Sequence, residues 1–188
     1  MDLENGSDSS EISASAARSP IVGAHRVYFI EMLRILLTCA GYAIAYHFYF
    51  QDHFVASVRW LQVSLTSGLS GTSVIGGIWC YEAAGRLMGY DEFFNYEKGR
   101  NPYQTQNTLW FAASFFVGCA TFCAYANMAP PQVVIVVLQL VFFSLSAINH
   151  SYVAVVNGKW QWMNINRPIF SLSMIAGAVP ILIKTVHA

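Results

Sequence analysis

The sequence predicts an all-α polytopic transmembrane helical bundle of five spans, and three observations carry that prediction. Apolar residues make up 55% of the 188-residue chain and charged residues only 11%, against roughly 25% charge in a water-soluble domain. The apolar residues gather into runs near the ~20 residues that cross a hydrocarbon core about 30 Å thick. The cations then fall on alternate connections, as membrane topology requires. Net charge is zero, which gives no general basic surface for nucleic acid.

Residues 1–26 open with "MDLENGSDSSEISASAARSP", polar and Ser-rich. The stretch lacks the basic and apolar regions of a signal peptide and reads as a disordered polar tail. The transmembrane domain is expected over residues 27–188. Its first span runs from about Tyr28 to Phe50, with Tyr42, Tyr46 and Tyr49 on one face as an interfacial belt. Glu31 and Arg34, three residues apart near its start, are placed to pair, with the Arg stem snorkelling outward.

Leu61–Tyr81 is uncharged but only weakly hydrophobic. Ser64, Gly68, Thr72 and Gly76 recur every four residues and form a smooth stripe for helix packing. The segment reads as a span buried among neighbours; the alternative is four spans plus a re-entrant segment. A polar connection with Glu82, Arg86, Asp91, Glu92, Glu97, Lys98 and Arg100 precedes the third span, "NTLWFAASFFVGCATFCAYANM". Pro130 and Pro131 turn the chain into the fourth, "QVVIVVLQLVFFSLSAI". The last, from Pro168, starts where a missing N–H costs little, and Pro180 interrupts it. Cys39, Cys80, Cys119 and Cys123 fall in or beside apolar runs and read as packing residues.

Five spans place Arg18, Arg26, Arg34, Arg86, Lys98, Arg100, Lys159 and Arg167 on one side and only Arg59 and Lys184 on the other. The positive-inside rule makes the first side cytoplasmic, with an external C-terminus, in what reads as the plasma (cytoplasmic) membrane. Four spans reduce the asymmetry to six against four.

The joint "SAINHSYVAVVNGKWQWMNINRP", Ser146 to Pro168, concentrates hydrogen-bonding side chains between two apolar runs. With five spans it joins a ring of polar helix ends. Glu82 and Arg86 close the second span, and Gln104 and Asn107 open the third. Asn149 and His150 close the fourth; Asn164 and Arg167 open the fifth. Polar groups at that depth need partners, and ionisable ones mark candidate sites. These eight residues are the predicted binding set, a cytoplasm-facing pocket for a headgroup or small molecule.

The functional expectation is a non-enzymatic membrane component, an accessory subunit or a binder of lipid or small molecules. Membrane lipids and a partner helix or second copy are its expected partners, and no resident cofactor is expected. The alternative is a redox protein linked to quinone or haem b through His47 and His150, which five spans would set at opposite faces. No Cys-x-x-Cys-His, His-Glu-x-x-His, phosphate loop or nucleophile elbow occurs in the sequence.

Three places resemble an uncharacterised family of small multi-span, mainly microbial membrane proteins of unknown function. They are His47 in "YHFYF", Pro102–Gln104 in "NPYQ", and His150 and Tyr152 in "NHSY" with Asn164 beyond. Asn101 stands where that family usually has Ser, and Val55 to Arg100 looks like an insertion. Without the insertion the resemblance implies four spans, with His47, Gln104 and His150 on one face. It implies no activity.

Overall fold

The structure, a computed structural model, describes residues 23–80, 83 and 102–188. Six α-helices and one π-helical turn account for nearly all of them: α1 (Ala24–Phe50), α2 (Phe54–Leu65), the π turn (Thr66–Gly71), α3 (Thr72–Trp79), α4 (Pro102–Ala124), α5 (Ala129–Val156) and α6 (Trp162–His187). The described residues contain no strand. Most of the expected tail lies outside them, but Ala24–Arg26 already belong to α1, which starts a turn before Tyr28.

The protein is an integral membrane protein by the distribution of its side chains. Leu36, Phe116, Leu145 and Leu172 are each more than 60% exposed on the outside, while Gln62, Gln132, Gln139, Ser64 and Thr72 are buried inside. An apolar exterior of that extent is a lipid-facing surface, not a water-facing one. Among the described residues, four uninterrupted helices are long and apolar enough to cross a bilayer: α1, Gln104–Ala124 of α4, α5, and Asn164–His187 of α6. The expectation of five such helices is corrected to four.

The remaining column, α2–π–α3, falls short because it is broken and rich in Ser, Thr and Gly. It nevertheless runs antiparallel along α1. Ser57 Oγ donates to Ala45 O at 2.8 Å, and Ser64 Oγ to Thr38 O at 2.9 Å. Farther along, Arg34 Nε donates to Thr72 Oγ1 at 3.1 Å, and the Phe29 and Trp79 rings meet edge-on at 6.4 Å. The backbone stays right-handed helical through both junctions.

The α2 and π-turn part of this column is the centre of the bundle, while Ile75, Ile78 and Trp79 of α3 face outward. Val58, Leu61, Leu65 and Leu69 are completely buried, and the core continues through Val136 of α5 and Ala178 and Ile181 of α6. Its low hydropathy follows from that position: a helix shielded by protein has no lipid to satisfy. Polar side chains close its contacts instead. Gln62 Nε2 donates to Thr66 Oγ1 and to Gly118 O of α4, and Gln139 Nε2 of α5 donates to Ser70 Oγ at 2.8 Å. At the π turn, Ser67 Oγ donates to Val63 O and Thr72 Oγ1 to Gly68 O, so hydroxyls serve carbonyls where the ladder changes pitch.

Three other expectations change. Tyr42 and Tyr46 are not belt residues: their hydroxyls donate to Met174 O and Gly177 O of α6, at 2.7 and 2.8 Å. Helix α6 begins at Trp162, so Pro168 lies inside it along with Pro180. Cys39, Cys119 and Cys123 are exposed on the outer surface, leaving Cys80 as the buried thiol. Cys119 and Cys123 face the apolar exterior because the small residues that pack α4, Ser114 and Gly118, occupy its inner side.

The predicted stripe faces α1. A Cβ on Gly68 would lie 2.3 Å from Thr38 Oγ1, and one on Gly41 would lie 2.3 Å from Ser64 Cβ and 2.8 Å from its Cα. At Gly76 a Cβ would meet only Ile30 Cγ2, at an ordinary 3.5 Å. Gly41→Ala is therefore expected to destabilise the detergent-solubilised protein by about 1–3 kcal/mol through overpacking, while Gly76→Ala leaves stability near wild type. Chemical or thermal unfolding of the two variants side by side checks this. Equal stability would show that the two backbones do not approach as closely as described.

Candidate functional site

The site begins with two residues one turn apart. Glu31 and Arg34 share a face of α1, and the close approach to the central column turns that face inward. Glu31 is 7% and Arg34 4% exposed. Arg34 Nη1 donates to Glu31 Oε1 at 2.5 Å, its Nε to Thr72 Oγ1 and its Nη2 to Ser73 Oγ, both at 3.1 Å. All three guanidinium nitrogens are thereby engaged. From α6, Arg167 Nη2 donates to the same Glu31 Oε1 at 2.8 Å.

Two guanidiniums thus share one carboxylate. With all three ionised the cluster carries an excess of one positive charge in the bundle interior. Arg167 Nε is buried and has no hydrogen-bond partner among the described residues. Burying charge costs several kcal/mol per ion and is tolerated only with pairing and hydrogen bonding. Arg34 meets that requirement and Arg167 meets it in part.

Beside this cluster His150 of α5 is buried, and its Nδ1 lies 2.8 Å from Asn164 Oδ1 of α6. Asn164 Nδ2 donates to Lys159 O at 3.0 Å. That bond orients the amide with Oδ1 toward the ring, so His150 Nδ1 is the donor and a neutral ring keeps its lone pair on Nε2. Glu31, Arg34 and Arg167 all lie within electrostatic reach of the ring. The site therefore collects Glu31 and Arg34 from α1, Thr72 and Ser73 from α3, His150 from α5, and Asn164 and Arg167 from α6.

Of the predicted set, the structure brings together His150, Asn164 and Arg167. Gln104 is half-buried in the first turn of α4; its carbonyl accepts from Thr108 Oγ1, and Thr108 packs against Gly77 of α3. Asn107 and Asn149 are exposed on the outer faces of their helices. They are not part of the enclosed cluster, because the inner faces there are taken by Thr108 and His150. Glu82 and Arg86 lie outside the described residues, as does Asn101.

Glu31 and Arg34 do not snorkel outward; they form the buried centre. A signal for this was present, since a lone carboxylate inside an apolar span is a site candidate on the same ground as His150. The stripe contributes Thr72 directly, as the acceptor of Arg34 Nε.

His47 stands elsewhere. It is exposed near the other end of α1, with its Nε2 3.3 Å from Gln51 Nε2. Its neighbour Tyr46 bonds Gly177, which lies about 20 Å along α6 from Asn164, the partner of His150, at 1.5 Å per residue. The two histidines occupy opposite ends of the bundle and cannot share one iron or one quinone. The four-span gathering of His47, Gln104 and His150 on one face does not occur.

In chemical terms the cluster offers cationic N–H groups, an imidazole–amide pair and a carboxylate already committed to two arginines. That combination suits holding an anion. No protein-family model, curated protein or solved structure matches the chain.

The shared carboxylate makes a graded stability prediction. Glu31→Gln leaves two buried guanidiniums without a counter-charge and is expected to cost about 3–5 kcal/mol, the range for breaking a buried pair. Arg167→Gln removes the excess charge and leaves the Glu31–Arg34 pair intact, so it is expected to cost much less. Unfolding midpoints in a neutral detergent check the order. Equal losses would mean that Glu31 is not the common acceptor.

Proposed function

We propose that the protein is a non-enzymatic membrane protein whose buried cluster at one end of the bundle binds an anionic group, a lipid headgroup or a small anion. The observation that carries this is the uneven ion count among the described residues: Arg34 and Arg167 against Glu31 alone, with Arg167 Nε unpartnered. An incoming phosphate or carboxylate would balance the excess charge, and the planar guanidinium of Arg167 is suited to it. His150, with Nδ1 fixed by Asn164, is the neighbouring polar contact.

The small-residue stripe supports a narrower role than accessory subunit. Gly68 and Ser64 are already occupied by α1 of the same chain, so the stripe supplies no surface for another subunit. The binder reading is the one left with a built site. Its test is the thermal stability and lipid content of the purified protein in nanodiscs of neutral phosphatidylcholine with and without an anionic phospholipid or added phosphate. Wild type is expected to gain stability with an anion and Arg167→Gln to lose most of that gain. An identical response of the two proteins would remove the proposal.

The same proposal includes orientation. The broken column from Phe54 to Trp79 is about 39 Å long at 1.5 Å per residue, long enough to be a fifth crossing alongside α1. Of the described cations, Arg26, Arg34, Lys159 and Arg167 lie toward the cluster end, and Arg59 and Lys184 toward the other. The positive-inside rule assigns the cluster end to the cytoplasm. Ser57 is buried and unsuited to labelling, but Gln51 and Asn157 are exposed. In a background lacking the native cysteines, Gln51→Cys is expected to react with a membrane-impermeant maleimide on intact cells, and Asn157→Cys only after permeabilisation. The reverse pattern would invert the orientation, and labelling of both from one side would exclude five crossings.

A further inference from the structure

At the end of the bundle opposite the ion cluster lies an open cleft of about 560 Å³, lined by Asp52, His53, Arg59, Trp60, Asn127 and Thr185 among others. It is bounded by the α1–α2 turn, the α4–α5 turn and the last turn of α6. Its volume is in the range that receives small molecules and headgroups.

Arg59 is the unusual member. Its Nη2 donates to Phe122 O at 3.1 Å, and its guanidinium carbon sits 3.9 Å from the centre of the Phe122 ring. Trp60 meets the same ring edge-on at 6.1 Å. These contacts hold the guanidinium in place but neutralise nothing. Among the described residues Arg59 has no carboxylate partner, its Nε is buried without a hydrogen bond, and its Nη1 has no protein acceptor.

The opposite charge in the same cleft is also free. Asp52 is exposed in the turn after α1, with φ of 57°, a conformation that few non-glycine residues adopt. Its backbone N–H donates to Tyr49 O, and its carboxylate forms no ion pair with Arg59 or with any other described residue. A fixed cation and a free carboxylate thus line one cavity without pairing across it. That arrangement is complementary to a ligand bearing both charges. Phe54, Val55, Ala56 and Ala129 give the lining an apolar side next to its polar residues, and Val55 is 38% exposed, so a hydrocarbon tail has an apolar path out of the cleft.

We infer that this cleft seats the headgroup of a zwitterionic phospholipid with a primary ammonium, the phosphate on Arg59 and the ammonium on Asp52. Arg59 presents donors suited to phosphate oxygens. Asp52 accepts N–H from the ammonium, which a quaternary choline cannot donate. The site shares no residue with the ion cluster and stands whether or not that cluster binds an anion.

The test is a lipid titration of the full-length protein, delipidated in detergent and followed by native mass spectrometry. Phosphatidylethanolamine is expected to bind at least about tenfold more tightly than phosphatidylcholine or phosphatidylglycerol, since each charge-assisted contact is worth about that factor. Soluble phosphoethanolamine is expected to bind far more weakly. Asp52→Asn should remove the preference over phosphatidylglycerol, and Arg59→Gln should weaken phosphatidylethanolamine about tenfold. Because Arg59 also packs on Phe122, Asn127→Trp, which fills the cleft from an exposed position, provides a second block and should weaken binding similarly. Equal affinity for the three phospholipids, equal affinity for the soluble headgroup, or unchanged binding in Asn127→Trp would each overturn the inference.

Discussion

The contact between α1 and the column from Phe54 to Trp79 governs the rest of the structure. Gly41 against Ser64 and Gly68 against Thr38 let two backbones approach to where no added Cβ fits. In a membrane such approach yields dispersion and hydrogen bonding between helices, where water would have supplied a hydrophobic driving force. Once the two axes are that close, Arg34 reaches Thr72 and Ser73 across the interface. A bulkier seam would push α3 away and leave a guanidinium in the interior without its hydroxyl acceptors. The packing stripe and the ion cluster are therefore parts of one device.

A second consequence is the inverted polarity of the bundle. The least hydrophobic helical segment occupies the centre, and the most apolar surfaces face outward. The buried amide nitrogens find acceptors: Gln62 Nε2 donates to Gly118 O and Thr66 Oγ1, Gln139 Nε2 to Ser70 Oγ, and Gln132 Nε2, away from the column, to Thr121 O and Tyr125 O. Gln62 Oε1 and Gln132 Oε1 are buried without a partner among the described residues. Unpaired, each nitrogen would cost several kcal/mol in this environment. The π turn fits the same logic, because its Ser and Thr hydroxyls bond carbonyls where helical pitch changes.

Much of the fold was legible in the sequence because hydropathy and length are local properties. The apolar runs and the four-residue recurrence from Ser64 to Gly76 can be read one segment at a time, whereas Pro130 and Pro131, expected to form the turn, lie in the first turn of α5 just after it. The count of membrane-long helices was misjudged because the second segment owes its place to neighbours and not to its own hydrophobicity. Tyr42 and Tyr46 were misread for a related reason: an aromatic near a helix end suits a lipid interface and a carbonyl on a facing helix equally well. At the site, His150, Asn164 and Arg167 were legible because they cluster in one joint. Glu31 was not, since its partner Arg167 is distant in sequence, and only the fold shows that the i,i+3 pair with Arg34 faces inward.

The two ends of the bundle treat their arginines differently, and that difference argues for function more strongly than either end alone. At one end Glu31 stands between Arg34 and Arg167, and hydroxyls of α3 complete Arg34. At the other, Arg59 is backed by an aromatic ring and a carbonyl while Asp52 lines the same cleft unpaired. If stability alone dictated these places, an apolar residue of similar volume would serve the first end as well or better, since buried ion pairs seldom outdo hydrophobic packing. An arginine set over Phe122 with no carboxylate partner among the described residues is harder still to account for by folding, because the ring restricts it without neutralising its charge. Among the described residues, each end of the apolar bundle thus holds an arginine whose charge the fold leaves incompletely paired, and that is the common ground of the two proposals.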